Sequence, residues 1–271
     1  MNASAGAQSG LGGGGRGCMV IKIGGSTLED IGRLGSLWGA LAGMAGVVIV
    51  HGGGKAVDGL LKRLEMPVER RNGLRVTPPD QMELIAGVLA GSVNKRLVGA
   101  INAAGAARGR AVGLCLGDGG MVACRRMSEE LGSVGEVVGG GCEVVKALLA
   151  AGYLPVISSI GMDAEGGLLN VNADDAAAGI AGAIGAGRLV LLTDVAGIKG
   201  GDGVVRARLT EAEVEGMIAS GEITGGMIVK ARSAVAAWKS TGAAVVILSG
   251  ESPEGLMRYV AGEVVGTTIE G

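Results

Sequence analysis

The 271 residues include no phenylalanine, two tryptophans and two tyrosines. Proteins that read splayed RNA bases or single-stranded nucleic acid stack them on aromatic side chains. That class is excluded, and any nucleotide base must rest on aliphatic walls. An excess of charge of one sign is missing too: 24 basic and 26 acidic residues leave a formal charge of -2, which rules out a strongly basic binder of phosphate backbones. The four cysteines, Cys18, Cys115, Cys124 and Cys142, form no Cys-x-x-Cys pair, and the lone histidine is His51. Zinc-ligand spacing is therefore absent, no protein-held metal is expected, and the thiols should be reduced and cytosolic. Residues 1–17 are mostly Gly, Ala and Ser, with Arg16 as the single positive charge and no apolar h-region. They read as a disordered tail, not a signal peptide.

Formal charge is also absent from the 21 residues 34–54, where Gly35, Gly39 and Gly43 make a small-xxx-small series. A membrane span is nevertheless not expected. Leu34, Leu37, Leu41 and Met44 fall on one helical stripe, and residues 47–50 are a β-branched run ending in the turn His51-Gly52-Gly53-Gly54. Helix followed by buried strand is the simpler reading.

What is present is a globular composition, 48% hydrophobic and 18% charged, with 55 glycines but no Gly-X-Y period. The length allows one large domain or two lobes. Apolar strand candidates occupy residues 19–23, 47–50, 111–115, 154–159, 189–193 and 244–248, with helical stretches between most of them, the alternation of a parallel sheet covered on both faces. Thr77-Pro78-Pro79-Asp80 offers a cap and an N1 proline for a long helix to about Ala104, and Thr210-Glu211-Ala212-Glu213 is a capping box. Gly221 and Gly242 suit helix stops. The one clear antiparallel element is a hairpin of residues 67–71 and 74–77 around Asn72-Gly73. No repeat of 20 to 50 residues and no linker beyond the tail is visible.

The chemistry begins with two exclusions. Gly10, Gly12 and Gly15 match a dinucleotide fingerprint but precede every strand, and Gly54-Lys55 is followed by Ala56 where a P-loop needs Ser or Thr. Two glycine turns remain at strand ends, Lys22-Ile23-Gly24-Gly25 and His51-Gly52-Gly53-Gly54. Carboxyl ends of parallel strands are where open α/β sheets bind ligands, and bare N–H groups there cradle anions. Either turn alone reads as a tight strand-to-helix connection beside a solvated lysine. Likewise, the run from Asn170 to Asp175 alone reads as a helix cap with acids in the first turn. Thr224-Gly225-Gly226 precedes a helix that carries Lys230 near its start. A lysine there opposes the helix dipole unless an anion is bound, the kind of local conflict that marks sites.

Together these motifs carry a resemblance. Lys22-Ile23-Gly24-Gly25, His51-Gly52-Gly53-Gly54, Asn72-Gly73-Leu74-Arg75, the segments 113–119 and 154–161, Asn170-Val171-Asn172-Ala173-Asp174, the segment 192–197 and the run from Thr224 to Lys230 stand in the order seen in acetylglutamate kinases. The chain resembles that family, within the amino acid kinase superfamily, from residue 19 through Gly266-Thr267-Thr268-Ile269 to its end. The resemblance implies an α/β, three-layer sandwich with a mainly parallel central sheet. It further implies an N-terminal lobe, residues 18–184, for acetylglutamate binding and dimerisation, and a C-terminal lobe, residues 185–271, for ATP.

The implied reaction is ATP-dependent phosphorylation of the γ-carboxylate of N-acetyl-L-glutamate by direct in-line transfer, with Mg²⁺ on the ATP phosphates. By this resemblance Lys22 and Lys230 stabilise the travelling phosphoryl group, and Asp174 holds both lysines. Gly24 and Gly25 bind phosphate. Gly53, Gly54, Arg75, Asn170 and Asn172 bind the substrate, with Arg75 as the bidentate fork for its α-carboxylate. ATP is lined by Thr193, Asp194, Val195, Ala196, Gly197, Ile198 and Lys199, with Glu222, Ile223 and Thr224. The scarcity of aromatics touches none of these motifs. Arginine-inhibited members resemble one another in an N-terminal helix that interlocks dimers. Residues 1–17 hold only Leu11 as a sizeable apolar residue after Met1, so a cytoplasmic, arginine-insensitive homodimer is expected. Kinases for N-acetyl-aminoadipate or a carrier-linked amino acid share nearly all these motifs, and a catalytically silent amino-acid sensor would keep the fold.

Overall fold

A computed structural model describes residues 17–28, 35, 39, 41, 44–71, 73–104, 110–251 and 253–271. Residues 1–16 of the expected tail 1–17, Leu34 and Leu37 of the expected stripe, and Asn72 of the hairpin turn lie outside the described residues.

Eight strands form one sheet: β1 (Met19–Ile23), β2 (Val47–His51), β5 (Ala111–Cys115), β8 (Leu154–Ser158), β11 (Arg188–Thr193), β12 (Arg208–Leu209), β13 (Ala244–Ser249) and β14 (Thr267–Ile269). Their order is β12-β14-β13-β11-β1-β2-β8-β5, and every neighbour pair is parallel except β13 with β14. All six strands expected from the sequence are in it. Successive side chains in a strand point to opposite faces, and here both faces are buried. Val20, Val48, Val50, Leu189 and Leu191 enter one apolar cluster, whereas Met19, Ile21, Ile49, Val190 and Leu192 enter the other. This explains why the strands read as continuous apolar runs. The core is β-branched, leucine and alanine packing, so the lack of aromatics leaves the layers intact.

More of the chain is antiparallel than the sequence suggested. Besides the hairpin β3 (Arg70–Arg71) and β4 (Leu74–Arg75), a second sheet holds β6 (Ala123–Arg126), β7 (Val134–Gly139), β9 (Ile160–Met162) and β10 (Leu168–Val171) in the order β6-β7-β10-β9. Of its pairs only β7 with β10 is parallel. These short strands lack the Asn-Gly type of turn signal.

The helices are α1 (Gly54–Arg63), α2 (Pro79–Ala104), α3 (Glu143–Ala150), α4 (Ala173–Ile184), α5 (Glu211–Ala219), α6 (Gly226–Thr241) and α7 (Pro253–Val260). Pro78, not Thr77, is the N-cap of α2, while the capping box at Thr210 is present and Gly242 ends α6 in the left-handed region. Within α2 the seven residues Gly87–Val93 are π-helical. The segment lies within the buried stripe of Ile85, Leu89, Val93, Leu97 and Ile101. They recur every fourth residue, and in a pure α-helix each such step would rotate about 40° away from the sheet. The wider i→i+5 turn compensates and keeps the stripe facing inward. By length and composition α2 could cross a bilayer, but this stripe is buried against the sheet and α1.

Helix α4 carries acids in its first turn and is capped by Asn172, whose Oδ1 accepts from the N–H of Asp174 at 2.7 Å and of Asp175 at 3.4 Å. We expect Asn172→Ala to cost about 1 kcal/mol in urea unfolding; unchanged stability would show that the helix start is held without the cap.

Candidate active site

The carboxyl ends of β1, β2 and β11 lie side by side, and each delivers one part of the site. From β1 comes Lys22, whose Nζ is 3.0 Å from Asp174 Oδ1 at the start of α4. Its side chain is only 14% exposed. Gly24 follows, and a Cβ there would stand 2.8 Å from Lys22 Nζ. Glycine thus leaves the ammonium its place. Gly25 opens the 3₁₀ turn Gly25–Leu28.

From β2 comes the turn Gly52-Gly53-Gly54 into α1. Gly53 has φ 152°, and a Cβ on it would lie 2.8 Å from Leu89 Cδ2. Both facts demand glycine. Among the described residues neither Gly53 N–H nor Gly54 N–H meets a backbone or side-chain acceptor, so both are available to a ligand.

Opposite this turn stands Arg75 of β4. Its Nη2 lies 2.6 Å from Asp58 Oδ1 of α1 and donates to Gly54 O at 3.0 Å. The side chain is 8% exposed, and Nη1 is buried with no partner among the described residues. Asp58 also takes Arg70 at 2.7 Å. Sequence reasoning missed Asp58, a mid-helix acid in no motif; its position one turn after the glycine turn was the available signal. Asn170 Nδ2 donates to Thr77 Oγ1 at 3.0 Å, and Thr77 donates to Arg75 O at 3.1 Å. A cavity of about 230 Å³ joins these groups: Lys22, Gly24, Gly53, Gly54, Arg75, Asn170, Asn172 and Asp174 line it, with Val57, Ile85 and Leu89 as apolar wall. Asn172 lines the cavity while its side chain caps α4.

From β11 comes Asp194, which pairs with Lys230 of α6. Here two expectations are corrected. Asp174 pairs with Lys22, and the carboxylate on Lys230 is Asp194. Lys230 is the fifth residue of α6, beyond the first turn where the helix dipole acts strongly, so its anion partner, not the dipole, defines its setting. The bond from Lys230 holds the Asp194 carboxyl below its usual range, and the charge of Lys22 acts in the same direction. Asp174, Lys22, Asp194 and Lys230 thus alternate in sign across one end of the sheet. Beside them, burial and the neighbouring Asp174 and Glu136 push Asp175 upward.

The segment after β11 turns tightly, with Val195 N–H donating to Thr193 Oγ1 at 3.2 Å and Ile198 N–H to Thr267 Oγ1 at 2.8 Å. Gly197, at φ 150°, leaves no room for a Cβ against Val205 and Thr267. Ile198 and Ile223 are buried in the core, so only their backbone can meet a ligand. Ala196, Lys199 and Thr224 are exposed, and Glu222 is tied to Gly201 N–H at 2.9 Å. All four cysteines are free, and burial raises the thiols of Cys115, Cys124 and Cys142, the last to about 11. None of these three is a thiolate at neutral pH. Among the described residues no group of three or more His, Cys, Asp or Glu side chains gathers to hold a metal ion.

This arrangement can neutralise and position a phosphoryl group and hold a small carboxylate. The Amino acid kinase family matches residues 17–249. The acetylglutamate kinase of Vibrio vulnificus (strain CMCP6) is 45% identical over 254 residues, covering 92% of this chain and 95% of its own length. That of Pectobacterium carotovorum subsp. carotovorum (strain PC1) is 46% identical over 256 residues, covering 93% and 98%. Of solved structures, smu.665 from Streptococcus mutans UA159 has TM-score 0.73 at 30% identity, over 93% of this chain and 98% of that one. N-acetylglutamate synthase from Neisseria gonorrhoeae, complexed with coenzyme A and L-arginine, has TM-score 0.76 at 24% identity, over 93% and 61%, and shares the fold. With the family match over most of its length and relatives 45% and 46% identical, covered to 95% and 98%, the chain belongs to the amino acid kinase family, among its acetylglutamate kinases.

Proposed function

We infer that this chain transfers the γ-phosphoryl group of ATP to the γ-carboxylate of N-acetyl-L-glutamate, giving N-acetylglutamyl 5-phosphate and ADP in arginine biosynthesis. One observation carries the reading beyond the family relationship: a single cavity holds Lys22 and the glycine turn together with Arg75, whose buried Nη1 has no partner among the described residues. Phosphoryl transfer asks for positioning and charge neutralisation, not covalent chemistry by the protein. A carboxylate oxygen of the substrate forms the new O–P bond while the bond to the bridging β,γ-oxygen breaks, and ADP leaves with that electron pair. Lys22 from β1 and Lys230 from α6 approach the phosphoryl oxygens, and Asp174 and Asp194 fix the two ammonium groups. Gly24, Gly53 and Gly54 offer backbone donors, with Gly25 completing the first turn.

At the other end Arg75 Nη1 takes the α-carboxylate, a bond that also satisfies the orphaned donor. Asn170, whose Nδ2 is engaged with Thr77, leaves Oδ1 for the acetamido N–H. Residues 193–199 and 222–224 form the nucleotide wall, so the lobes divide as 18–184 for acetylglutamate and 185–271 for ATP. Mg²⁺ enters on the ATP phosphates and neutralises their charge. A cytoplasmic homodimer completes the reading, since residues 1–17 lack the apolar stripe that an interlocking helix would bury.

Two experiments test these roles. Trapping the acyl phosphate with hydroxylamine reports turnover; Lys22→Ala and Lys230→Ala should each lower it about 100-fold or more with unchanged melting. Wild-type turnover in either variant removes that lysine from the mechanism. Calorimetry on Arg75→Lys should show N-acetylglutamate binding weakened about tenfold or more and ATP binding little changed, because a point charge cannot replace the fork. Equal losses for both ligands would place Arg75 elsewhere.

A further inference from the structure

His51 is completely buried, and its imidazole is used by nothing in the mechanism above. Its surroundings fix the position of every proton on the ring. Asn94, the residue after the π segment of α2, sends Nδ2 to Val156 O at 2.9 Å and to His51 Nε2 at 3.0 Å. Its Oδ1 accepts from Lys95 Nζ at 3.1 Å. A carbonyl only accepts and an ammonium only donates, so the amide has one possible orientation. Nδ2 must donate to His51 Nε2, which is therefore the unprotonated nitrogen. The ring proton sits on Nδ1, 2.8 Å from Gly52 O, and donates to it. Burial lowers the His51 pKa to about 4, so the ring is neutral at physiological pH, as this tautomer requires.

The bond to Gly52 O has a consequence across one peptide unit. A trans peptide is planar, with C=O and the next N–H pointing in opposite directions. Drawing Gly52 O toward the buried imidazole turns Gly53 N–H the other way, and Gly53 lines the cavity that holds Lys22. The preceding N–H is also tied, since Gly52 N–H donates to Ile23 O at 3.2 Å. On the far side, Leu89 and Val93 of the π segment close against Gly53.

We propose that His51, held by Asn94, is a positioning residue of the phosphoryl-transfer site that locks the Gly52–Gly53 peptide with its N–H aimed at the reacting oxygens. The proposal rests on the kinase reading for the reaction and on bond geometry for the lock. An unlocked peptide would still allow ATP to bind but would place this donor out of line, and misplacement by about 1 Å costs up to about 100-fold in rate.

Because His51 is the sole histidine of the chain, the test is direct. Full-length protein labelled with ¹⁵N-histidine gives one imidazole signal set, expected to show the neutral Nδ1–H tautomer at pH 7; the Nε2–H tautomer or an imidazolium there would overturn the lock. In kinetics, His51→Leu should lower kcat about 10- to 100-fold with the KM for ATP within about twofold. In His51→Asn an amide Nδ2 stands where the imidazole Nδ1 was, and most of the lost kcat should return. Wild-type kcat in His51→Leu, or equal losses in the two variants, would also overturn the proposal. A wild-type chain that forms no acyl phosphate refutes the kinase reading, while the nitrogen spectrum still decides the lock.

Discussion

Two ammonium groups at one end of a sheet repel each other, and the charge arrangement around Lys22 and Lys230 answers that repulsion. Lys22 pairs with Asp174 and Lys230 with Asp194, and Asp194 also feels Lys22. The alternation lets both lysines wait in one place, each held by a carboxylate from another element. It depends on parallel order: β1 and β11 are neighbours with their carboxyl ends together, so Lys22 at the end of one strand and Asp194 just past the other meet without a special loop. The N-terminus of α4 brings Asp174 to the same edge.

Close approach is the second constraint. The glycine turn after β2 is pressed by Leu89 and Val93 and, among the described residues, its Gly53 and Gly54 N–H groups meet no acceptor, so the backbone itself lines the cavity. Helix α2 contributes twice, through the apolar residues of its π segment and through Asn94, the buried amide that orients His51. An α-helix without the π segment would rotate the four-residue stripe away from the sheet. A feature of helix periodicity thereby bears on the position of one backbone donor in the cavity.

Much of this was legible in the residues. Continuous β-branched runs gave the parallel strands because burial on both faces removes polar alternation, and glycines at strand ends gave turns that line the cavity. Lys22, Arg75, Asn170 and Asp174 were singled out by motif and share one cavity. Ion-pair partners were harder to read, since they depend on tertiary placement: Asp58 sits mid-helix in no motif, and Asp194 read as part of a nucleotide lobe instead of the counter-ion of Lys230. Ile198 and Ile223 read as ligand contacts, and their burial leaves only their backbone for that role, a distinction that packing decides. The π segment was not read from the residues, because a four-residue apolar spacing also suits a regular α-helix.

The most direct measurement of the central claim is ADP release by the full-length chain, side by side with N-acetyl-L-glutamate, glutamate, N-acetyl-aminoadipate and UMP as acceptors. The site described here predicts that N-acetyl-L-glutamate has the highest kcat/KM. A higher value for N-acetyl-aminoadipate or UMP, or no ADP release with any acceptor, would contradict it.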